Sequence, residues 1–335
     1  ANAVTCLPIF RHYHVDRHQV FASIDGQKFE TRINTFKARF SAKYFRQGKG
    51  VSAMTLVSNH IPLNTKIIGA NEYEGHHVLD LLYNNTTDLQ PDTISTDTHG
   101  TNRVNFALLD FFGYAFAPRY ARVKRIFEQC FVINPQAGDN EPFIQLTTPA
   151  NHPLIIAEWD ALQRILCSLH RKNISQSTIV QKLNNNKRSD KTLAALEEYD
   201  RLVKCCYLLD YVDNETLRGY IQKMLNRGEA YHQLRRAIAS VNGNRFIGGS
   251  DYHVELANEC ARLIANCIVY YNSAILSFLL ARYERKRDQR AVDIITRVSP
   301  VAWQNVNLNG NYSFQQDNTL LDLEALLAGV KPEER

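Results

Sequence analysis

The hydrophobic pattern of this chain changes once, and that change limits the folds that the chain can adopt. Short β-rich runs fill roughly the first 130 residues, whereas from 154 to 283 the apolar residues recur at helical spacing. A chain of 335 residues can bury a sizeable core, as one large domain or as a domain that carries an insertion. We therefore expect an α/β protein whose strands precede most of its helices.

The order of the predicted elements in the first part favours one kind of sheet. Residues 19–25 alternate with a period of two, which predicts the first strand. The later elements are strands at 51–57 and 61–68, a helix at 72–83, a strand at 93–96, a helix at 104–112 and a strand at 114–118. An RNase H-like fold has this order, and its first strand lies parallel to and beside its fourth. The predicted fold class is thus α/β, an RNase H-like mixed five-stranded sheet flanked by helices.

The remaining pattern divides the chain into four parts. Residues 1–130 form the first part of the core with all five strands, and 131–215 form an all-helical insertion. Residues 216–290 hold the helix that carries a third acid and the helix after it, and 291–335 form a polar tail. The insertion therefore precedes the third-acid helix in sequence.

Three acids are placed to meet in such a fold. Asp25 lies on the first strand and Asp97 at the end of the fourth, so the two become neighbours across the sheet. Glu229 interrupts the apolar face of the helix at 221–238, beside Gly228. Carboxylate oxygens suit Mg²⁺ or Mn²⁺, and two such ions can support an in-line phosphoryl transfer. Asp25-Gly26 is by itself also a hairpin-turn signal, and any three acids could be chosen from the 34 present.

Two histidines are candidates for a supporting role at this site. His99 follows Asp97 by two residues, and a loop at the strand end can turn it toward the metals. His232 lies one turn beyond Glu229 on the same side of the helix. The alternative for each is an ordinary surface histidine, so both stay open.

Basic residues cluster in two places, although the net charge of +5 is mild. The first cluster alternates with four aromatic residues (Phe36, Phe40, Tyr44 and Phe45) and consists of Lys37, Arg39, Lys43, Arg46 and Lys49. Cations neutralise phosphates and aromatic faces stack on bases, which favours a nucleic-acid-binding edge. An exposed hairpin whose aromatics pack inward is the alternative. The second predicted DNA-binding group is Arg119, Arg122 and Arg236.

The cysteine and hydropathy patterns indicate a cytoplasmic protein that does not bind membranes. Seven cysteines without a Cys-x-x-Cys motif predict buried thiols in a reducing compartment, and not disulfides or a zinc site. The most apolar segment, 260–281, is interrupted by Arg262, Asn266 and Asn272, so we expect a buried helix. Because the first residue is not Met, we expect the chain to be the carboxyl-terminal part of a longer protein.

Several short sequences resemble one enzyme family. They are Ala-Ser-Ile-Asp-Gly-Gln (22–27), Ala-Lys-Tyr-Phe-Arg-Gln-Gly-Lys-Gly (42–50), Ser-Thr-Asp-Thr-His-Gly (95–100), Phe-Gly-Tyr-Ala-Phe-Ala-Pro-Arg (112–119), Leu-Asn-Arg-Gly-Glu (225–229) and the closing motif at 299–312. Together they are similar to the catalytic region of transposases of the Tn3 family of replicative transposons. The likeness extends in order from about residue 20 to 314. Arg46 stands where we expect a glycine of the family, and Asn311 where we expect an acid.

This resemblance implies a function for the three acids. The family's Asp-Asp-Glu (DDE) triad falls on Asp25, Asp97 and Glu229, and implies two Mg²⁺ or Mn²⁺ ions. The implied reaction is cleavage at transposon ends followed by transfer of the 3′-hydroxyl into target DNA. The implied partners are double-stranded DNA, both transposon ends and target, and a second copy of the full-length protein in a homodimer. A large amino-terminal region that binds the transposon ends is implied as well, in a bacterial, nucleoid-associated protein.

Two other functions remain open from the sequence. One is an RNase H-like, structure-selective DNA nuclease that shares the metal site but joins no strands. The other is a non-catalytic DNA-binding module whose site has decayed.

Overall fold

A mixed β-sheet forms the centre of the protein, for which a computed structural model describes residues 1–137, 142–185 and 190–310. Seven strands belong to this sheet and two to a separate hairpin. In chain order the strands are β1 (Phe21–Thr31), β2 (Arg39–Phe40), β3 (Lys49–Ser58), β4 (Ile61–Gly69), β5 (Thr93–Ser95), β6 (Ala115–Phe116), β7 (Phe131–Ile133), β8 (Ile144–Leu146) and β9 (Arg245–Phe246). The fourth predicted strand is β5, because the short strand β2 was not predicted.

The pairing of the strands is that of the predicted fold. β1 runs antiparallel to β3 from Ala22 opposite Ser58 to Glu30 opposite Gly50, and β4 continues the meander. On the other side β1 runs parallel to β5, with Ser23 level with Ser95, and β6 runs parallel to β5. The RNase H-like arrangement, with the first strand beside the fourth predicted one, is thus confirmed. The hairpin-turn interpretation of Asp25-Gly26 is wrong, because β1 continues through Gly26, which pairs with Met54.

Helices cover the sheet and form most of the second half of the chain. They are α1 (Asn2–Thr5), α2 (Ala42–Phe45), α3 (Val78–Tyr83), α4 (Asn105–Phe111), α5 (Val123–Cys130), α6 (His152–Ala157), α7 (Trp159–His170), α8 (Gln176–Asn185), α9 (Lys191–Asp213), α10 (Glu215–Ser240), α11 (Asp251–Arg285) and α12 (Gln289–Ile295). Short 3₁₀ turns lie at Pro8–His12, Glu74–His77 and Thr98–Gly100. As predicted, α4 ends just before Gly113, whose φ of +78° suits glycine.

The long helix α11 packs against the edge strand β4. The Arg262 guanidinium donates to the Leu63 carbonyl at 2.9 Å, and the Asn266 amide donates to the Pro62 carbonyl at 3.0 Å. Among the described residues, α11 is the one helix whose length and composition would allow it to cross a membrane, and 50% of its most apolar window is buried in the protein. Arg262 and Asn266 therefore hold the helix to the sheet, whereas Asn272, the third interrupting residue, donates to the Pro300 and Ala302 carbonyls.

The segment between the strands and α10 is not wholly helical. It begins with the antiparallel hairpin of β7 and β8, in which Phe131 pairs with Leu146, and its helices follow. Its last helix, α9, packs on α4, where the rings of Tyr199 and Phe111 stack with centroids 4.5 Å apart. The domain limits at 130, 215 and 290 stay predictions, and the closing residues 311–335, with Asn311, lie outside the described part.

The cysteines are less buried than the sequence predicts. All seven are free thiols, but only Cys130 and Cys205 are buried. The exposed ones are Cys6, Cys167, Cys206, Cys260 and Cys267. The prediction of buried thiols is wrong for these five, because an apolar helical pattern does not say which side of the helix a thiol occupies.

Candidate metal centre

Asp25 lies where one edge of β1 has no strand beside it. On that edge β5 pairs only with residues 21–23, and β9 only with Glu30 and Thr31. The Gly26 N–H, which a neighbouring strand would otherwise bind, donates to Asp25 Oδ1 at 2.8 Å. The gap leaves room for side chains from other elements beside the Asp25 carboxylate, whose side chain is 39% exposed.

Helix α10 approaches this part of β1 closely because of a glycine. A Cβ on Gly228 would lie 2.9 Å from Ser23 Oγ, so a side chain at this position would crowd the Ser23 hydroxyl at the point where the helix meets the strand. One turn on, the Gln27 side chain on β1 donates to the main-chain carbonyl of His232 at 3.0 Å. Ser23, Asp25 and Gln27 share one face of the strand because side chains alternate. The two contacts therefore fix α10 beside the Asp25 carboxylate.

This packing brings two acids and a histidine together. His232 Nδ1 lies 3.6 Å from Asp25 Oδ2 and 3.9 Å from Glu229 Oε2. One ligand atom of each of the three residues lies within 4.8 Å of those of the other two. The Glu229 side chain is 63% exposed, whereas His232 is buried, so the surface-histidine alternative is wrong for His232.

The electrostatics of the group reflect its burial and its charge. Burial, followed by the nearby carboxylates of Glu74, Asp97 and Glu229, raises the pKa of Asp25 from 3.8 to about 7 against the hydrogen bond from Gly26, which lowers it. Burial also lowers the pKa of His232 to about 4, with Arg236 and Arg235 acting in the same direction. Two carboxylates near an imidazole favour its charged form, but burial and the two arginines outweigh them. His232 is therefore neutral at pH 7, with a nitrogen able to act as a ligand.

Asp97 lies near Asp25, at the end of β5. It follows the last residue of that strand by two positions, and its Oδ1 accepts the His99 N–H at 2.8 Å to cap a 3₁₀ turn. Asp97 and the exposed His99 line a cleft together with Asp25. Asp97 does not belong to the tight group around His232, although its charge acts on Asp25.

A fourth carboxylate near the site was not predicted. Glu74 lies across β1 from α10, where it accepts a hydrogen bond from Lys28 Nζ at 2.6 Å and one from Ser52 Oγ at 3.1 Å. A Cβ on Gly26 would lie 2.3 Å from Glu74 Oε1, so the glycine makes room for this carboxylate. In the sequence Glu74 is an ordinary acid at the start of a helical stretch, and no signal distinguishes it.

The first basic cluster is only partly free. Lys37 Nζ pairs with Glu255, and the Arg39 guanidinium bonds the Phe36 carbonyl, so both already have partners in the protein. Lys43, Arg46 and Lys49 are exposed, and Lys43 Nζ lies 4.8 Å from the centroid of the Tyr44 ring. Three of the four aromatics are exposed, by 84%, 54% and 46%, namely Phe36, Phe40 and Tyr44. The alternative that the aromatics pack inward is wrong for these three, whereas Phe45 lies against Gly50.

Two members of the second basic group, Arg119 and Arg122, lie in the loop after β6, at the edge of the sheet where Asp97 lies, whereas Arg236 lies on α10 one turn beyond His232. The Arg119 N–H donates to the Thr96 carbonyl, and its guanidinium donates to Gln222 on α10 at 2.8 Å. Arg119, Arg122 and Arg236 are all exposed. Arg119 therefore links the loop after β6 to the helix that carries Glu229.

The donor set fits a divalent cation. Asp25, which lines the cleft, and the exposed Glu229 offer hard carboxylate oxygens, and His232 offers a neutral imidazole nitrogen. Mg²⁺ prefers oxygen ligands and keeps several waters, whereas Mn²⁺ accepts oxygen and imidazole ligands. The group could therefore hold either ion with room left for a phosphate.

Comparison with known proteins identifies the family. A family model described as the Tn3 transposase DDE domain matches residues 1–312. The transposase for transposon gamma-delta from Escherichia coli (strain K12) is 29% identical over 318 residues, which cover 93% of this chain and 31% of that protein. The transposase for transposon Tn1546 from Enterococcus faecium is 28% identical over 300 residues, or 89% of this chain and 30% of that protein. This chain thus spans about a third of the length of the relatives that it matches, and it belongs to the Tn3 transposase DDE domain family.

Proposed function

We propose that this chain is the catalytic region of a DNA transposase that cleaves DNA at transposon ends and joins the 3′-hydroxyl to target DNA. The main support is the group of Asp25 and Glu229, assembled from a strand and a helix far apart in sequence, at a gap in the sheet edge that Asp97 also reaches. Family membership adds weight, because the three acids lie within the matched residues. The activity, substrates and partners of the longer relatives enter here as proposals for this chain.

We assign the metal centre to Asp25, Asp97 and Glu229, with two Mg²⁺ or Mn²⁺ ions. When bound, such ions stabilise charge on the attacking and leaving oxygens of an in-line displacement. Asp25 and Asp97 are each oriented by a main-chain N–H, from Gly26 and from His99. Glu229 is more exposed, and no main-chain N–H of a described residue binds its carboxylate, so the carboxylate can adjust to a ligand.

The two histidines support the site in different ways. His99 lies exposed in the cleft next to Asp97, where its ring can meet a phosphate or an attacking oxygen. His232 is buried beside Asp25 and Glu229, with Nδ1 3.6 Å and 3.9 Å from their carboxylates, where it acts on the position and charge of both. We propose that replacing either histidine by Ala slows the chemical step more than it weakens DNA binding. An unchanged single-turnover rate would remove that residue from the mechanism.

The DNA is proposed to cross the cleft between the two basic groups. Lys43, Arg46 and Lys49 lie on the side of Tyr44, which itself lines the cleft with Asp25. Arg119, Arg122 and Arg236 supply the other side. Phosphate contacts position a duplex without reading its sequence, so recognition of transposon ends falls to the amino-terminal region of a longer homodimeric protein.

The test is an assay that separates joining from nicking. A duplex with a free transposon-end 3′-hydroxyl is incubated with target DNA and Mn²⁺, and joined and nicked products are resolved on a denaturing gel. Asp25→Asn, Asp97→Asn and Glu229→Gln should each abolish both products while DNA binding is kept. Asp160→Asn, an exposed acid on α7, is the matched control.

Each other outcome points to a different function. Nicking without joining would favour the structure-selective nuclease. If the unaltered full-length protein binds DNA but forms neither product, the result would favour the non-catalytic module. Turnover that persists in one of the three acid variants would remove that acid from the proposed centre.

A further inference from the structure

The buried imidazole of His232 points at the two carboxylates without a hydrogen bond of its own. The residue is 6% exposed, and its Nδ1 lies 3.6 Å from Asp25 Oδ2 and 3.9 Å from Glu229 Oε2. Both separations exceed the length of a hydrogen bond, and no other described residue binds the ring in this way. A ring nitrogen close to two carboxylates but bonded to neither is placed to bind a ligand, a water or an ion.

The spacing of the three atoms fits ligands of one ion. Ligand atoms about 2.1 Å from an octahedral ion lie about 3 Å apart when adjacent and about 4.2 Å apart when opposite. The two measured separations from Nδ1 lie between these limits, and all three atoms lie within 4.8 Å of one another. Small side-chain rotations would therefore bring the set into contact with one ion, without movement of β1 or α10.

We propose that His232 is a direct metal ligand through Nδ1, together with Asp25 and Glu229, and that it makes this centre prefer Mn²⁺ over Mg²⁺. The proposal rests on the metal centre of the proposed function and adds a nitrogen to its three acids. Imidazole suits transition-metal ions, whereas Mg²⁺ favours sites built from oxygen and water. A centre made only of carboxylates would discriminate less between the two ions.

Main-chain contacts already place His232 next to the strand that carries Asp25, as a shared metal site requires. Gln27 on β1 donates to the His232 carbonyl at 3.0 Å, and Gly228 allows α10 to lie against Ser23. The backbone of His232 is thus fixed relative to the strand that carries Asp25. Ligands that are already in position favour the ion whose geometry they match, because few side chains have to be ordered when the metal binds.

The experiment measures metal binding to the DNA-free protein. Mn²⁺ is added below one equivalent, and pulsed electron paramagnetic resonance records whether a nitrogen is coupled to the bound ion. Competition with Mg²⁺ gives the relative affinities. We expect nitrogen coupling in the unaltered protein, and we expect His232→Asn to lose it and to bind Mn²⁺ at least about tenfold more weakly, with Mg²⁺ affinity changed by less than about threefold.

Matched variants make the result specific. His99→Asn alters an exposed histidine of the same cleft and should keep both the coupling and the Mn²⁺ affinity. Should His232→Asn fail to fold, the unaltered protein grown with ¹⁵N-histidine still provides the test, because the coupling of a histidine ligand must change with the isotope. A coupling that does not change on labelling would overturn the proposal, as would coupling retained in folded His232→Asn.

Asp25→Asn separates this proposal from the one it rests on. If Asp25→Asn abolishes Mn²⁺ binding while His232→Asn leaves affinity and spectrum unchanged, the centre stands and the histidine ligand is refuted. If Asp25→Asn has no effect on Mn²⁺ binding, the metal centre of the proposed function is itself refuted.

Discussion

A buried carboxyl on α9 caps the helix α4, and replacing it by an amide should stabilise the protein at alkaline pH. Asp200 is 5% exposed, and its Oδ1 accepts the Ala107 N–H at 3.1 Å in the first turn of α4. The N-cap residue of α4, Val104, has no side chain that can do this. Asp200→Asn keeps an oxygen acceptor at the same place but removes the charge.

The size of the effect follows from the pKa of Asp200. Burial raises that pKa from 3.8 to about 7, against the opposing effects of the Ala107 hydrogen bond and the Lys204 charge. A rise of about 3 units corresponds to at most about 4 kcal/mol. Because the folded state keeps its proton up to about pH 7 and the unfolded state loses it near pH 4, unaltered protein loses stability as the pH rises between these values. The asparagine variant has no such loss.

Urea unfolding at several pH values measures this difference. The stability gap between Asp200→Asn and the unaltered protein should widen by about 2–3 kcal/mol from pH 5 to pH 8, with equal denaturant slopes. Asp160→Asn, an exposed acid on α7, should show no such widening. A gap that stays constant with pH would refute the reasoning. A variant less stable at every pH would mean that the charge near the amino terminus of α4 outweighs the cost of burying it.

Three further predictions concern α10 and the basic cluster. Gly219 has open space around it, so Gly219→Ala should stabilise the protein by about 1 kcal/mol. In Gly228→Ala the new Cβ would lie 2.9 Å from Ser23 Oγ, so this variant should gain less stability unless Ser23→Ala accompanies it. Thermal unfolding of Gly219→Ala, Gly228→Ala, Ser23→Ala and the Gly228→Ala/Ser23→Ala double variant tests this. Arg46 has a φ of +56°, so Arg46→Gly should raise unfolding free energy by about 1 kcal/mol, and an unchanged value would mean that this backbone is unstrained. Neutralising Lys43 and Arg46 together should reduce the slope of log affinity for DNA against log salt by about two charges, and an unchanged slope would place both away from DNA.

The fold could be predicted because its main signals are periodic. Alternation in residues 19–25 and helical spacing in 221–238 each identified an element, and the order of elements then placed β1 beside β5. Local signals were weaker. Asp25-Gly26 has the composition of a turn, but β3 pairs with the strand on both sides of it. A long partner strand thus overrode a two-residue preference.

The sequence did not predict the contacts that depend on how closely two elements pack against each other. A helical pattern places His232 on the same side as Glu229, but only the close approach at Gly228 shows that the histidine is buried against Asp25. The Glu74 carboxylate occupies the space that Gly26 leaves next to Asp25, and neither a glutamate nor a glycine in the sequence indicates such a contact. The hairpin of β7 and β8 has three residues in each strand, too few for a period to be read.

The segment predicted to be an insertion, 131–215, supports the candidate site although it supplies none of the three acids. Its helix α9 caps α4 through Asp200, and α4 follows the loop that carries Asp97. From the same helix, the Tyr207 hydroxyl donates to the Pro118 carbonyl at 2.6 Å, next to Arg119, whose N–H bonds Thr96 just before Asp97. The loops after β5 and β6 are therefore held by α9. Since the packing of α10 on β1 sets the backbone that carries Glu229 beside Asp25, these contacts of α9 act on the remaining acid, and a change in how α9 packs would move Asp97 relative to the other two.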